Sequence, residues 1–166
     1  MTKALALIIA LVGASMFWLA AGGARWLQES KDERALFAKL AAAIDGGPTA
    51  EKVEAQFGPF TEYSKCPCPS DQKKIGQLTF DADLRGDADE VIFIAEHFEN
   101  SCISIAHAVA RFDLEPAHQG CLHGGCWYRS RQYDWGIIGF GIDDPDAQCA
   151  SSVVINSEKY QRLKTF

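Results

Sequence analysis

Two of the chain's four histidines and two of its six cysteines fall within HQGCLHGGCW, His118 to Trp127, as a repeated His-x-x-Cys. His118, Cys121, His123 and Cys126 are the residue types that hold zinc tetrahedrally, but structural zinc sites join two ligand pairs well separated in sequence. Four ligands within nine residues crowd the backbone. The alternative is a disulfide. Gly124 and Gly125 permit a tight turn between Cys121 and Cys126, and a bridge there displays Leu122 and His123 at the tip of a constrained loop. The sequence favours this second reading and no cofactor.

KCPCPSD places Cys66 and Cys68 one residue apart. Two such thiolates suit a soft metal. A bridge between them would be strained, so pairing with distant cysteines is preferred. Neither cysteine stretch has the Cys-x-x-Cys spacing of thiol oxidoreductases. DADLRGDADE alternates Asp81, Asp83, Asp87 and Asp89 around Gly86, as calcium loops alternate oxygens around a glycine. Arg85 and Ile92 stand where that loop needs ligands, which favours a hydrated hairpin turn. The chain has no Gly-x-Ser-x-Gly, no phosphate-cradling glycine loop and no His-Glu-x-x-His. His97 and His107 fall in apparent strands and read as partly buried, hydrogen-bonded histidines.

The remaining cluster is CWYRSRQYDW. Trp127, Arg129, Arg131, Tyr133 and Trp135 alternate and would share one strand face. Trp, Tyr and Arg dominate interface energetics, so this strand and the loop tip, Leu122 and His123, form the expected binding surface. Two tryptophans filling a core is the competing reading.

Which chemistry the cysteines do depends on compartment. Ala4 to Ala24 is a run of 21 uncharged residues, and about 20 apolar residues span a bilayer as a helix. A cleaved signal peptide has an apolar core of about 7–15 residues, so an uncleaved anchor within residues 1–28 is preferred. Either reading exports residues 29–166 and makes disulfides of Cys66, Cys68, Cys102, Cys121, Cys126 and Cys149 the expectation. Without Lys3, 15 basic residues face 22 acidic ones, a balance of about −7. With no basic patch, nucleic acid is not a partner.

The elements that position these residues are legible in part. Ser30 and Glu33 form a capping box for a helix with Leu36, Phe37, Leu40, Ala41 and Ile44 on one stripe, ended by Gly46 and Gly47. Thr49 caps a second, shorter helix on which Ala50, Val53 and Phe57 share a face. GQLTFDA, EVIFIAEHF, CISIAHAVARF, CWYRSRQYDW, GIIGFGI and CASSVVIN then read as strands, although the alanines of CISIAHAVARF also suit a helix. The fold predicted is α+β and disulfide-stabilised: an N-terminal transmembrane helix, two short helices on one face, then an antiparallel meander of about five or six strands.

Between Gly46 and Ile94, GGPTAEKVEAQFGPF followed by LTFDADLRGDADEV resembles the small outer-membrane assembly lipoproteins of the SmpA/OmlA type. Thr49, Val53, Gly58 and Pro59 match that family's capped helix, with Pro59 one residue early. The resemblance covers under a third of the chain. This chain has no lipidation cysteine after its apolar run, and some 70 residues follow the matched segment. The resemblance implies a small exported α+β binding module. CLHGGC is also similar in form to the Cys-closed, His-bearing loop of periplasmic inhibitors of vertebrate lysozyme, which implies hydrolase inhibition as an alternative. A single-pass inner-membrane protein with its bulk on the periplasmic side, contacting an envelope protein as an accessory or assembly subunit, is the leading expectation. A metal or thiol-redox protein is the other class.

Overall fold

The computed structural model describes residues 29–61, 70–86, 90–116, 126–131 and 133–157. These form an α+β domain of three helices and a seven-stranded antiparallel sheet. The helices are α1 (Lys31–Ile44), α2 (Ala50–Phe57) and α3 (Ile105–Phe112). The strands are β1 (Asp71–Ile75), β2 (Leu78–Gly86), β3 (Val91–Glu99), β4 (Leu114–Pro116), β5 (Cys126–Ser130), β6 (Ile137–Ile142) and β7 (Ser152–Asn156). Among the described residues no helix is long and apolar enough to cross a membrane. The expected anchor lies outside them.

Helix ends form where the local chemistry places them. The Ser30 hydroxyl accepts from the Glu33 amide while Glu33 reaches back to the Ser30 amide, and the Thr49 hydroxyl accepts from the Lys52 amide. Leu36, Phe37, Leu40 and Val53 are fully buried. The α1–α2 corner is tied by Lys52, which donates to the carbonyls of Asp45 and Gly47.

The sheet is not a simple meander. Its order is β1-β2-β3-β7-β6-β5-β4. From β3, in the middle, the chain crosses through α3 to β4 at the far edge. It then steps back inward through β5 and β6 until β7 closes against β3. A three-strand run and a four-strand run thus meet at the β3–β7 seam. Two edge strands escaped the sequence reading: β1, DQKKI, is polar and β4 is three residues long.

CISIAHAVARF supplies a helix instead of the expected strand. Alternation of Ile103, Ile105, His107 and Val109 coincides with a helical pattern of Ile105, Ala108 and Phe112, all buried. The Ser104 hydroxyl accepts from the His107 amide at one end, and Asp113, in the left-handed region, closes the other. With alanines between, capping decides the outcome.

All three helices cover the same face of the sheet. Phe57 packs on Phe80 and Phe93, while Phe37 and Phe112 pack on Phe140. Leu78, Ala95, Val153, Ile155 and Ile138 complete this core at 1% exposure or less. The disulfide Cys102–Cys149 fastens the start of α3 to the β6–β7 connection. The backbone bonds Ile105 N to Gln148 O and Ala150 N to Ile103 O flank it. Cys126 is disulfide-bonded as well.

Candidate functional site

The face of the sheet opposite the helices carries the candidate site. Strand alternation sends Phe140 and Ile138 into the core and turns Gly139 and Gly141 the other way, where they have no side chain to present. Trp127, on the neighbouring strand, occupies the space they leave. A Cβ at Gly141 would stand 3.2 Å from Cη2 and Cζ2 of the indole, and one at Gly139 would stand 3.6 Å from its Cε3. The six-membered ring therefore spans the two glycines. Trp127 is nonetheless 39% exposed, one of two exposed large hydrophobics among the described residues. The indole is thus held against the backbone on one side and open to solvent on the other.

Strand pairing sets two rows across this face. One runs Asp81–Glu96–Ser152–Gly141–Trp127 and the other Asp83–Ile94–Val154–Gly139–Arg129. Each begins at a carboxylate and ends at a residue of β5. At the carboxylate end a β-bulge interrupts the β2–β3 ladder. His97 sits in it with φ 57°, a left-handed conformation unusual outside glycine. Its imidazole is 74% exposed and meets the Asp81 carboxylate at 3.2 Å. Glu96 is exposed beside them. Asp83 is 5% exposed; Arg85 pairs with its Oδ2, and Oδ1 has no hydrogen-bond partner.

The residues expected on one strand are divided. β5 ends at Ser130, whose hydroxyl accepts from the Ile138 amide. Tyr133 and Gly136 then pair across a turn, closed by Gly136 at φ 139°, where a Cβ would overlap the Asn156 carbonyl. Trp127 and Arg129 stay on the open face. Arg131 lies beyond the strand, 3.5 Å from Glu115 and 3.7 Å from Asp113. Tyr133 and Trp135 are in the turn, stacked at 4.9 Å between centroids, with Trp135 against Gly47 on the helix side. There Tyr133 lines a groove of about 500 Å³ with Ala41, Ile44, Asp45, Arg111 and Asp113, between the C-terminal ends of α1 and α3. Two separate surfaces replace the single expected one.

The other expectations are also redistributed. Asp81 and Asp83 belong to β2, not to a calcium loop, and their oxygens face His97 and Arg85. Asp87 and Asp89 lie outside the described residues, as do Cys66, Cys68, His118, Cys121, Leu122 and His123. Cys126 is buried and oxidised, so it is no thiolate ligand for a His118, Cys121, His123, Cys126 metal set. Among the described residues no cluster of three or more His, Cys, Asp or Glu is placed to hold a metal. His97 is exposed in a bulge instead of partly buried in regular strand. His107 is satisfied as expected, but on a helix: its Nδ1 lies 3.0 Å from Glu33, in a side-chain pair 15% and 3% exposed.

Gly139, Gly141, Ser152 and Glu96 were not singled out from the sequence. One signal was available. Glycines two apart in GIIGFGI leave one face of a strand bare, which marks a close approach by something else.

Fold and site together define a disulfide-stapled α+β domain with one sheet face packed by helices and a half-exposed tryptophan on the other. Comparison of the chain with protein-family models, with curated proteins and with solved structures finds no match.

Proposed function

We propose that the protein is an extracytoplasmic binding module, tethered to the inner membrane by Ala4 to Ala24 and docking an envelope protein through Trp127 and Arg129. The observation that carries this reading is the seating of Trp127 on Gly139 and Gly141. A strand that gives up two side chains to cradle an indole, and leaves that indole 39% exposed, holds it for contact and not for the core. Arg129, next but one on β5 and on the same face, supplies the second residue type enriched where interfaces gain most energy. The Cys102–Cys149 bridge supports the compartment, because disulfides persist where the surroundings are oxidising.

Photo-crosslinking in intact cells tests this. A photoreactive amino acid at position 127 or 129 should give a discrete adduct with one envelope protein. The same probe at Glu51, exposed on α2 at the other face, should not. No adduct from either position, or the same adducts from Glu51, removes the assignment.

A further inference from the structure

Resting on that reading of the open face, we propose that the segment it binds is basic. An extended stretch of the partner places a Lys or Arg between Glu96 and Asp81 and an apolar side chain on Trp127. The two ends of the row differ in character. At the β5 end stand the exposed indole and Arg129, which repels a second cation. At the β2–β3 end stand Asp81 and Glu96, directly paired across the ladder, with Glu99 opposite Thr79 one step further along.

Among the described residues, the groups already on this face leave Glu96 as the carboxylate without an ion-pair partner. Arg85 is committed to Asp83, and Lys74 lies across from Thr79 on the edge strand. Asp81 has the His97 imidazole. Glu96 is exposed, and among the described residues its carboxylate has no ion-pair partner. A chain of net charge −6 also draws cationic partners from a distance. The polarity of docking follows: cation over β2–β3, apolar group over β5.

Spacing fits a short segment. The indole reaches over Gly141, and Glu96 is two strands further on, past Ser152. Two strand separations are about 10 Å. Side chains two apart on an extended chain are about 7 Å apart at their roots, and a lysine stem covers the difference.

The probe is a capped pentapeptide, Thr-Lys-Thr-Phe-Thr, titrated into the full chain in detergent micelles and followed by NMR at the Trp127 indole N–H and the Glu96 amide. Both signals should shift, and less so as salt rises. Glu96→Gln should weaken binding about tenfold. Glu96→Lys should reverse the preference toward Thr-Glu-Thr-Phe-Thr. A chitooligosaccharide is titrated in parallel. Shifts produced by the sugar alone, or peptide binding indifferent to Glu96→Gln, Glu96→Lys and salt, would overturn the basic-segment proposal and leave Trp127 as an anchor. Loss of the crosslinked partner from positions 127 and 129 would instead overturn the reading beneath it.

Discussion

Nδ1 of His107 meets Oε2 of Glu33 at 3.0 Å across a separation of 74 residues. The same carboxylate accepts from the amide of Ser30 at 3.2 Å and from the amide of Ser104 at 2.7 Å. One buried side chain therefore serves the N-terminal ends of both α1 and α3, besides holding the imidazole. Glu33→Ala should destabilise the protein by about 2 kcal/mol, because it orphans part-buried donors at the starts of two helices at once. Glu33→Gln keeps one acceptor and should cost roughly half as much. Urea unfolding of the two variants checks this. Equal, small losses would show that the two helix starts do not depend on the shared carboxylate.

A second link holds α3, this one covalent and running to the sheet. Cys102 and Cys149 are 47 residues apart and both exposed, so the bridge adds little packing and acts mainly by shortening the unfolded chain's loop. A loop of that size is worth about 4 kcal/mol in the chain-entropy account. The Cys102→Ala, Cys149→Ala double variant should lose about that much in urea unfolding. A loss below about 1 kcal/mol would mean that the unfolded state is already held compact in this region.

Acid should loosen the approach to β1. The Asp71 carboxylate accepts from the Thr61 amide at 2.8 Å and the Thr61 hydroxyl at 2.9 Å. The Thr61 amide bond, above all, holds its carboxyl below the ordinary 3.8, with the Thr61 hydroxyl and Lys73 acting in the same direction. A folded pKa below the unfolded one gives stability that is present above the unfolded value and lost as pH falls through the folded value. Asp71→Asn should therefore cost stability at pH 7, by less than about 1 kcal/mol at this partly exposed site. The difference from wild type should shrink as pH falls below the ordinary 3.8 and vanish only once pH has passed the lower folded value. A gap constant from pH 7 to pH 2 would assign the effect to packing instead of charge.

How much of this was written in the sequence depends on whether the signal is local. The capping box at Ser30 and Glu33 is contained in four residues, and α1 begins where it places it. The strands EVIFIAEHF and GIIGFGI declare themselves by β-branched and aromatic content. CISIAHAVARF satisfies two periodicities, and Ser104 with Asp113 chose between them. Nothing in DQKKI marks a strand, because its order comes from pairing with LTFDA and not from its own residues. The site divides in the same way. Trp127 and Arg129 were visible as residue types, but Tyr133 and Trp135 leave their face because a turn at Gly136 intervenes. Glu96 and Ser152 join Trp127 only through the β3–β7 seam, a pairing between strands far apart in the chain.

That seam, and the glycines beside it, give the sharpest separation of stability from binding. Alanine at position 141 would put a methyl carbon 3.2 Å from the indole and into the place of the Ser152 hydroxyl. The hydroxyl can rotate away, and the ring can rise by a few tenths of an ångström, because its outer side faces solvent. Gly141 has no positive φ, so the backbone tolerates a side chain there, and alanine in a strand relieves unfolded-chain entropy. Gly141→Ala should thus change unfolding free energy by less than about 1 kcal/mol. It should still cut crosslinking from position 129 several-fold, because Trp127 is displaced from the height at which it meets a partner. Gly136→Ala is the contrast: φ there is 139° and the methyl would overlap the Asn156 carbonyl, so stability should fall by at least about 2 kcal/mol. If Gly141→Ala unfolds the protein as readily as Gly136→Ala, Trp127 is a structural pillar of the sheet and its exposure has no bearing on binding.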